Sequence, residues 1–375
     1  MATLPNLWIP QSTSTVNVSI INSSGTIRGI PFSSFYEPPI VGHEWLAAPC
    51  TSFFIEHDNR SLVFDLGIRK DWQNLPEAYL DSLRDSNITV SVPTDVRGIL
   101  DEGGVDSSAI EAVIWSHAHV DHVGDPSTFD NNTALIVGPG VQDAFFPGYP
   151  ANPNAAFLES DVAGREIKEL KFNSKCGGLK IGHFEAIDFF GDGSFYLLNS
   201  PGHAIGHISA LARVTSNPDS FILMGGDTVH QAGVLRPHKW HPLPESVSPN
   251  PFTGRPAPAC PGDLFEGLLR NGKDSPFYVP SSTSQMNYNT TEMIESIHKL
   301  QETDAHDNIF VVPAHDEYIL RVVDLFPARA NDFMEKGWVH QTRWAFLRDF
   351  ARAVNYTGEL YPKQSWDPAG NQTRS

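Results

Sequence analysis

Two apolar runs rich in β-formers, TSFFIEH and SLVFDLG, flank the polar tetrad His57-Asp58-Asn59-Arg60, and this spacing predicts a hairpin. A helical stretch follows, with Thr94 as its N-cap and an end at Gly103-Gly104. The short runs AVIW (from Ala112) and TALIVGP (around Leu135) read as strands. LKIGHFEAIDFF and SFYLLNS flank Gly191-Asp192-Gly193 and predict a second hairpin. ISALARVT, SFILMGGD and NIFVVPAH are further strands. NYNTTEMIESIHKLQ is a helix capped by Asn289 or Thr290. Meandering strands interrupted by single helices, in two successive sets, predict a sandwich of two mixed sheets with helices outside.

The regular pattern divides the chain. Residues 1–48, rich in Ser, Pro, Asn and isolated aromatics, read as an irregular N-terminal extension. Residues 49–326 carry the sandwich, with a long loop insertion at 231–287 that is proline-rich and weakly periodic. A loop of that length inside a compact domain commonly forms a lid or pocket wall. Residues 327–375 read as a helical tail with Phe333, Trp338, Trp344 and Leu347 as apolar positions.

With 23 Phe and 8 Trp in 375 residues, the chain can fill a large core. Its net charge of −18 and lack of a Lys/Arg run argue against nucleic acid and anionic membranes as partners. No run approaches the length of a membrane span, and the N-terminus shows neither a basic nor an apolar leader segment. The N-x-S/T triplets at Asn17 and Asn87 therefore read as chance. The three cysteines, Cys50, Cys176 and Cys260, form no C-x-x-C pair, which argues against a disulfide framework or a thiolate zinc site. A cytoplasmic enzyme is the expectation; the oligomeric state stays open.

The chemistry concentrates in SHAHVDHVGD, which carries His117, His119, Asp121 and His122 just after a strand. Imidazole and carboxylate are ligands that zinc accepts. Three further pieces also follow apolar runs: SPGHAIGH supplies His203, MGGDTVH supplies Asp227, and VVPAHDEY supplies His315. Ligands at the ends of successive strands converge on one edge of a sandwich. Five His and two Asp suffice for two zinc ions per chain: one on His117, His119 and His203, the other on Asp121, His122 and His315, with Asp227 bridging. Such a pair lowers the pKa of a shared water, and the resulting hydroxide attacks a carbonyl. Asp121 or Asp227 can carry the proton to the leaving atom. No G-x-S-x-G elbow points to a serine nucleophile instead.

In this order, H-x-H-x-D-H, P-G-H, G-D and a late A-H resemble the metallo-β-lactamase superfamily, over roughly Cys50 to Leu325. The resemblance implies an α/β fold, the αββα sandwich. Phe64-Asp65-Leu66-Gly67 is similar to the family's early D-x-G element, so Asp65 is expected to support the metal loop without binding metal. In the acyl-homoserine lactonase branch a Tyr stands three residues after the bridging Asp and contacts substrate; here that position is His230. The resemblance implies a metal-dependent hydrolase opening a small neutral lactone or lactam, and fungal relatives of this type include enzymes that detoxify metabolites. His230 and Trp240 are the expected substrate contacts. Phe35, Tyr36, Trp45, Phe252, Phe265, Phe277 and Tyr278 are further pocket candidates. The alternatives are an acyl-thioester hydrolase acting on a carrier- or CoA-linked chain, and a non-catalytic binding module that keeps the fold.

Overall fold

Alternation decides how each strand is used. In the strand Arg60–Phe64, Leu62 and Phe64 face one way and Val63 the other, and all three are fully buried. A strand buried on both faces must lie inside a layered structure. The computed structural model, which describes residues 2–85, 88–172 and 177–361, shows that layering. Cys176, Asn87 and the tail beyond 361 lie outside the described residues.

The first sheet holds seven strands. In chain order they are β1 (Asn17–Pro31), β2 (Trp45–His57), β3 (Arg60–Phe64), β4 (Thr89–Ser91), β5 (Ala112–Ile114), β6 (Ala134–Val137) and β7 (Ile167–Glu169). They lie in the order β4-β1-β2-β3-β5-β6-β7, antiparallel up to β3 and parallel from there on. The second sheet has six: β8 (Lys180–Ile181), β9 (Phe184–Asp188), β10 (Phe195–Asn199), β11 (Ile208–Ser216), β12 (Asp219–Met224) and β13 (Ile309–Val312). Their order is β13-β12-β11-β10-β9-β8, with only β12 and β13 parallel.

Between the sheets, Val18, Ile20, Phe53 and Ile114 meet Leu197, Ala210, Ile222 and Val312. The outer face of the first sheet packs Val113 and Leu135 against Val96 and Leu100 of the helix Val96–Glu102. The outer face of the second packs Leu211 and Leu223 against Met293, Ile297 and Leu300 of the helix Thr290–Asp304. These are the two mixed sheets with helices outside. Asn289 caps the latter helix, accepting from the backbone N–H of Thr291 and Glu292. Asp95, not Thr94, caps the former, accepting from Gly98 N–H. The helix Glu77–Asp85 had no counterpart in the sequence reading.

Three readings of the segments around the sandwich need correction. The N-terminal stretch is not irregular throughout, because β1 runs 15 residues along β2. Ser19, Asn22, Ser23 and Ser24 hide its alternation, and a register shift between Asn22 and Thr26 breaks it further. The 231–287 insertion is not a free loop. It places Leu235, Leu243, Val247, Phe252, Phe265, Phe277 and Tyr278 in the core, and Val279–Pro280 pairs with Tyr36–Glu37. The tail is not one helix but the short turns Phe333–Lys336 and Trp338–Thr342 and a 3-10 stretch, Ala345–Phe350. Gly337, at φ 67°, separates the first two. Phe333, Trp338 and Leu347 are nevertheless buried as their apolar character requires.

Candidate metal centre

The strand β5 delivers the central motif to the sandwich edge. Its continuation, Trp115, donates its indole N–H to Val123 O (3.1 Å) and so ties down both ends of the loop. His119 then starts a single helical turn, Val120–Val123, that presents Asp121 and His122. Gly124 closes it at φ 51°; a Cβ there would stand 2.3 Å from Leu66 Cβ, so only glycine lets the loop lie against the end of β3.

All seven expected ligands meet at this edge. Ligand atoms of His117, His119, His203 and Asp227 lie within 4.8 Å of one another, and so do those of His122, Asp227 and His315. Asp227 belongs to both sets. Its Oδ1 is 3.2 Å from His122 Nε2 and 3.0 Å from His315 Nε2; its Oδ2 is 3.4 Å from His203 Nε2 and 3.7 Å from His117 Nε2. Asp121 joins the second set, with Oδ2 3.5 Å from His315 Nε2 and Oδ1 3.8 Å from His122 Nε2.

Electrostatics suit a cation here. The Nε2 atoms of His117 and His122 and Oδ1 of Asp227 are buried without a hydrogen-bond partner, a costly state unless something binds them. Burial pushes His117 and His203 well below the ordinary imidazole range, leaving them neutral and able to ligate. Burial alone would also lower His122, but the carboxylates of Asp227, Asp65 and Asp121 outweigh it and raise it well above that range. Burial would raise Asp227, yet His122 and His315 hold it well below the usual carboxylate range. A carboxylate gathered among that many imidazoles is stabilised by positive charge, which a metal supplies without protonating the ligands.

A second set of side chains aims the first. Asp65, at φ 61° after β3, accepts from Ser116 N–H (2.6 Å) with Oδ1 and from His122 Nδ1 (2.8 Å) with Oδ2. Pro49 O lies 2.7 Å from His315 Nδ1, and Asn287 Oδ1 3.2 Å from His203 Nδ1. Three further residues outside the expected ligand set approach the cluster. His207, also in SPGHAIGH, accepts from Asp227 N–H (2.9 Å) with Nε2 and donates from Nδ1 to Ser200 O (2.9 Å); burial lowers its pKa to about 4. The second Gly-His pair of that segment, four residues after the first, was the available signal. Cys50, set aside with the other thiols, brings Sγ within 4.8 Å of ligand atoms of Asp121 and His315, and only the fold could show that. Asn287 likewise carries no local signal.

A cavity of about 320 Å³ opens beside the cluster, bordered by His230 and His315. Residues 42–47 and 346–360 supply most of its wall, including Trp45, Leu46, Phe346 and Leu360. The 231–287 segment gives only Gln231 and Ala232. Trp240, expected beside substrate, does not border it. The Trp240 indole donates to Thr3 O (2.9 Å), with the Lys239 ammonium 4.1 Å from its ring centroid. Phe252, Phe265 and Phe277 are core, while Phe35 and Tyr36 pack around the His230 ring.

Comparison with known proteins agrees with this geometry. The family model described as the metallo-beta-lactamase superfamily matches residues 46–270. The chain is 44% identical to gamma-lactamase FDB1 of Fusarium pseudograminearum, over 92% of this chain and 85% of that protein. It is 43% identical to metallo-hydrolase mfmC of Annulohypoxylon moriforme, over 94% and 92% of the two chains. A crystal structure of a Bacillus thuringiensis AiiA variant with N-decanoyl-L-homoserine at its active site superposes with a TM-score of 0.55, covering 84% of this chain and 99% of that one, at 15% identity. The chain therefore belongs to the metallo-β-lactamase superfamily and is a hydrolase with its αββα fold.

Proposed function

We propose that this hydrolase opens a small neutral lactone or lactam ring with two zinc ions, one on His117, His119 and His203 and the other on Asp121, His122 and His315, with Asp227 shared. The observation that carries the reading is the position of Asp227, buried within 3.7 Å of histidines from both sets, one of which, His315, borders the cavity. Two bound zinc ions supply an activated water and polarise the carbonyl to be attacked.

The side chains divide the remaining work. Asp65 holds His122 with Nδ1 as donor, leaving Nε2 free to ligate. His207 and the backbone around it fix Asp227. Asp121 is 14% exposed against 2% for Asp227, so it is the carboxylate placed to pass a proton from water to the leaving atom. Trp45, Leu46 and Phe346 offer apolar area to a ring. Burial raises Asp316 to about 6 and Glu317 to about 7, so Glu44 and Asp349 offset Arg348 and Arg352 and the wall itself offers no net positive charge to an anionic substrate such as a CoA thioester.

The testing experiment is a panel of lactones, lactams and thioesters assayed with zinc-loaded protein. Ring opening of at least one neutral lactone or lactam, abolished by a chelator and restored by zinc, is the expected outcome. Turnover confined to thioesters would refute the reading.

A further inference from the structure

His230 stands where a metal ligand and a substrate contact are equally reachable, since its Nε2 lies 3.1 Å from Asp227 Oδ2 and its side chain borders the cavity. What decides between them lies behind the ring. The Tyr36 hydroxyl, on an N-terminal segment outside the 46–270 family match, is 2.7 Å from His230 Nδ1. The same hydroxyl oxygen accepts from the His230 backbone N–H at 3.1 Å.

A phenol has one hydrogen to give. If His230 Nδ1 carried a proton, the Tyr36 oxygen would face two donors and its own hydrogen would be buried without this acceptor. Leaving a buried donor unmade costs about 1–3 kcal/mol. The satisfied arrangement has Tyr36 donating to Nδ1 while accepting from the backbone. Burial holds the Tyr36 phenol well above its ordinary range, so that hydrogen stays in place. A neutral imidazole whose Nδ1 accepts must carry its proton on Nε2. The ring cannot readily turn to exchange the two nitrogens, because Phe35 packs against it at a centroid distance of 4.4 Å and the His315 ring stacks at 5.4 Å and 20°.

We infer that Tyr36 is a positioning residue that locks His230 as an Nε2–H donor, so that His230 is not a metal ligand but a fixed hydrogen-bond donor to an acceptor atom of the ring being opened. An Nε2 that bears hydrogen has no lone pair for a cation. The acceptor nearest that N–H is Asp227 Oδ2, at 3.1 Å, and the carbonyl or leaving heteroatom of a lactone or lactam entering the adjoining cavity would take it over on binding. The role assigned to the donor rests on the proposed function; the tautomer does not.

The first test needs no substrate. In zinc-loaded protein with 15N-labelled histidine, long-range 1H–15N correlations should show His230 with an unprotonated Nδ1 and a protonated Nε2. Tyr36→Phe should shift this tautomer balance, keep wild-type zinc content, and lower kcat/KM about tenfold, one lost hydrogen bond's worth. His230→Gln, which retains an N–H at the end of its side chain, should recover activity that His230→Leu loses, again with full zinc. A protonated Nδ1, a metal-shifted Nε2, or zinc loss in His230→Leu would overturn the inference, as would unchanged kinetics in Tyr36→Phe. Because the correlation spectrum is read without substrate, an absence of ring-opening activity would overturn the proposed function alone.

Discussion

Replacing Asp65 with Asn changes one atom and reaches the metal edge through a proton. Asp65 Oδ1 accepts from Ser116 N–H at 2.6 Å and Oδ2 from His122 Nδ1 at 2.8 Å, so both oxygens are committed. Asparagine has one acceptor and one donor end. With its oxygen toward Ser116, its amide N–H faces His122 Nδ1, which must then accept, and the proton moves to Nε2. That is the atom 3.2 Å from Asp227 Oδ1 that would hold the proposed second metal. With the amide reversed, two donors face each other across 2.6 Å at Ser116. Ser116 Oγ, 3.3 Å from His122 Nδ1, is a weaker substitute. Either arrangement costs roughly 1–3 kcal/mol, or about 10–100-fold in affinity for the metal on His122 and His315. The backbone does not confuse the comparison, since Asn tolerates the φ of 61° that Asp65 adopts. Zinc competition against a chromophoric chelator should show one site weakened by that factor and the site on His117, His119 and His203 little changed. Two zinc affinities within twofold of wild type would refute the assignment of Asp65.

Asp121→Ala should leave a folded chain that keeps the metal on His117, His119 and His203, loses the one on His122 and His315, and drops several orders of magnitude in turnover, whereas His117→Ala should lose the metal on His119 and His203; elemental analysis with steady-state kinetics checks both, and near wild-type rates in Asp121→Ala would count against two-metal chemistry. Trp45→Ala should raise KM, because Trp45 borders the cavity and is 38% exposed, whereas Trp240→Ala should leave kinetics unchanged; equal effects would mean the cavity is misassigned. His241 gives a pH signature away from the metals. Burial lowers its pKa from 6.5 to about 4, so the native state binds fewer protons than the unfolded state between those values. Its contribution is then fully present above pH 6.5 and is lost as pH falls toward about 4. His241→Gln should therefore lose less stability than wild type on acidification from about pH 7.5 to 5 in denaturant titrations, and parallel losses would contradict the burial effect.

The candidate metal edge was legible from the sequence because four of the seven expected ligands close an apolar run. His117, His203, Asp227 and His315 each follow a strand, and strand ends of one sandwich share an edge, so local pattern and position coincide. Most strands from Thr51 to Met224 and the helix Thr290–Asp304 were legible for a related reason, an unbroken apolar run or period between polar or glycine turns, whereas the three-residue strands Thr89–Ser91 and Ile167–Glu169 are too short to carry one. Where that local signal failed, the partner supplied the missing order. The β1 strand pairs with β2 despite its serines, since a neighbouring strand satisfies a backbone that the side-chain pattern does not announce.

Contacts across long sequence separation belong to the tertiary structure alone. Tyr36 meets His230 across 194 positions, Asn287 meets His203 across 84, and Cys50 approaches Asp121 and His315, none with a spacing that a motif could record. The 231–287 segment looked like a wall because aromatics on irregular chain suggest a pocket. The fold spent those aromatics on the core and built the cavity from residues 42–47 and the tail. The sequence determined which side chains could bind metal, because ligand chemistry is a property of residue types and their order along strands. Which of the remaining residues would orient those ligands, and which would line the cavity, was decided only by packing, because burial and proton placement depend on neighbours distant in the chain.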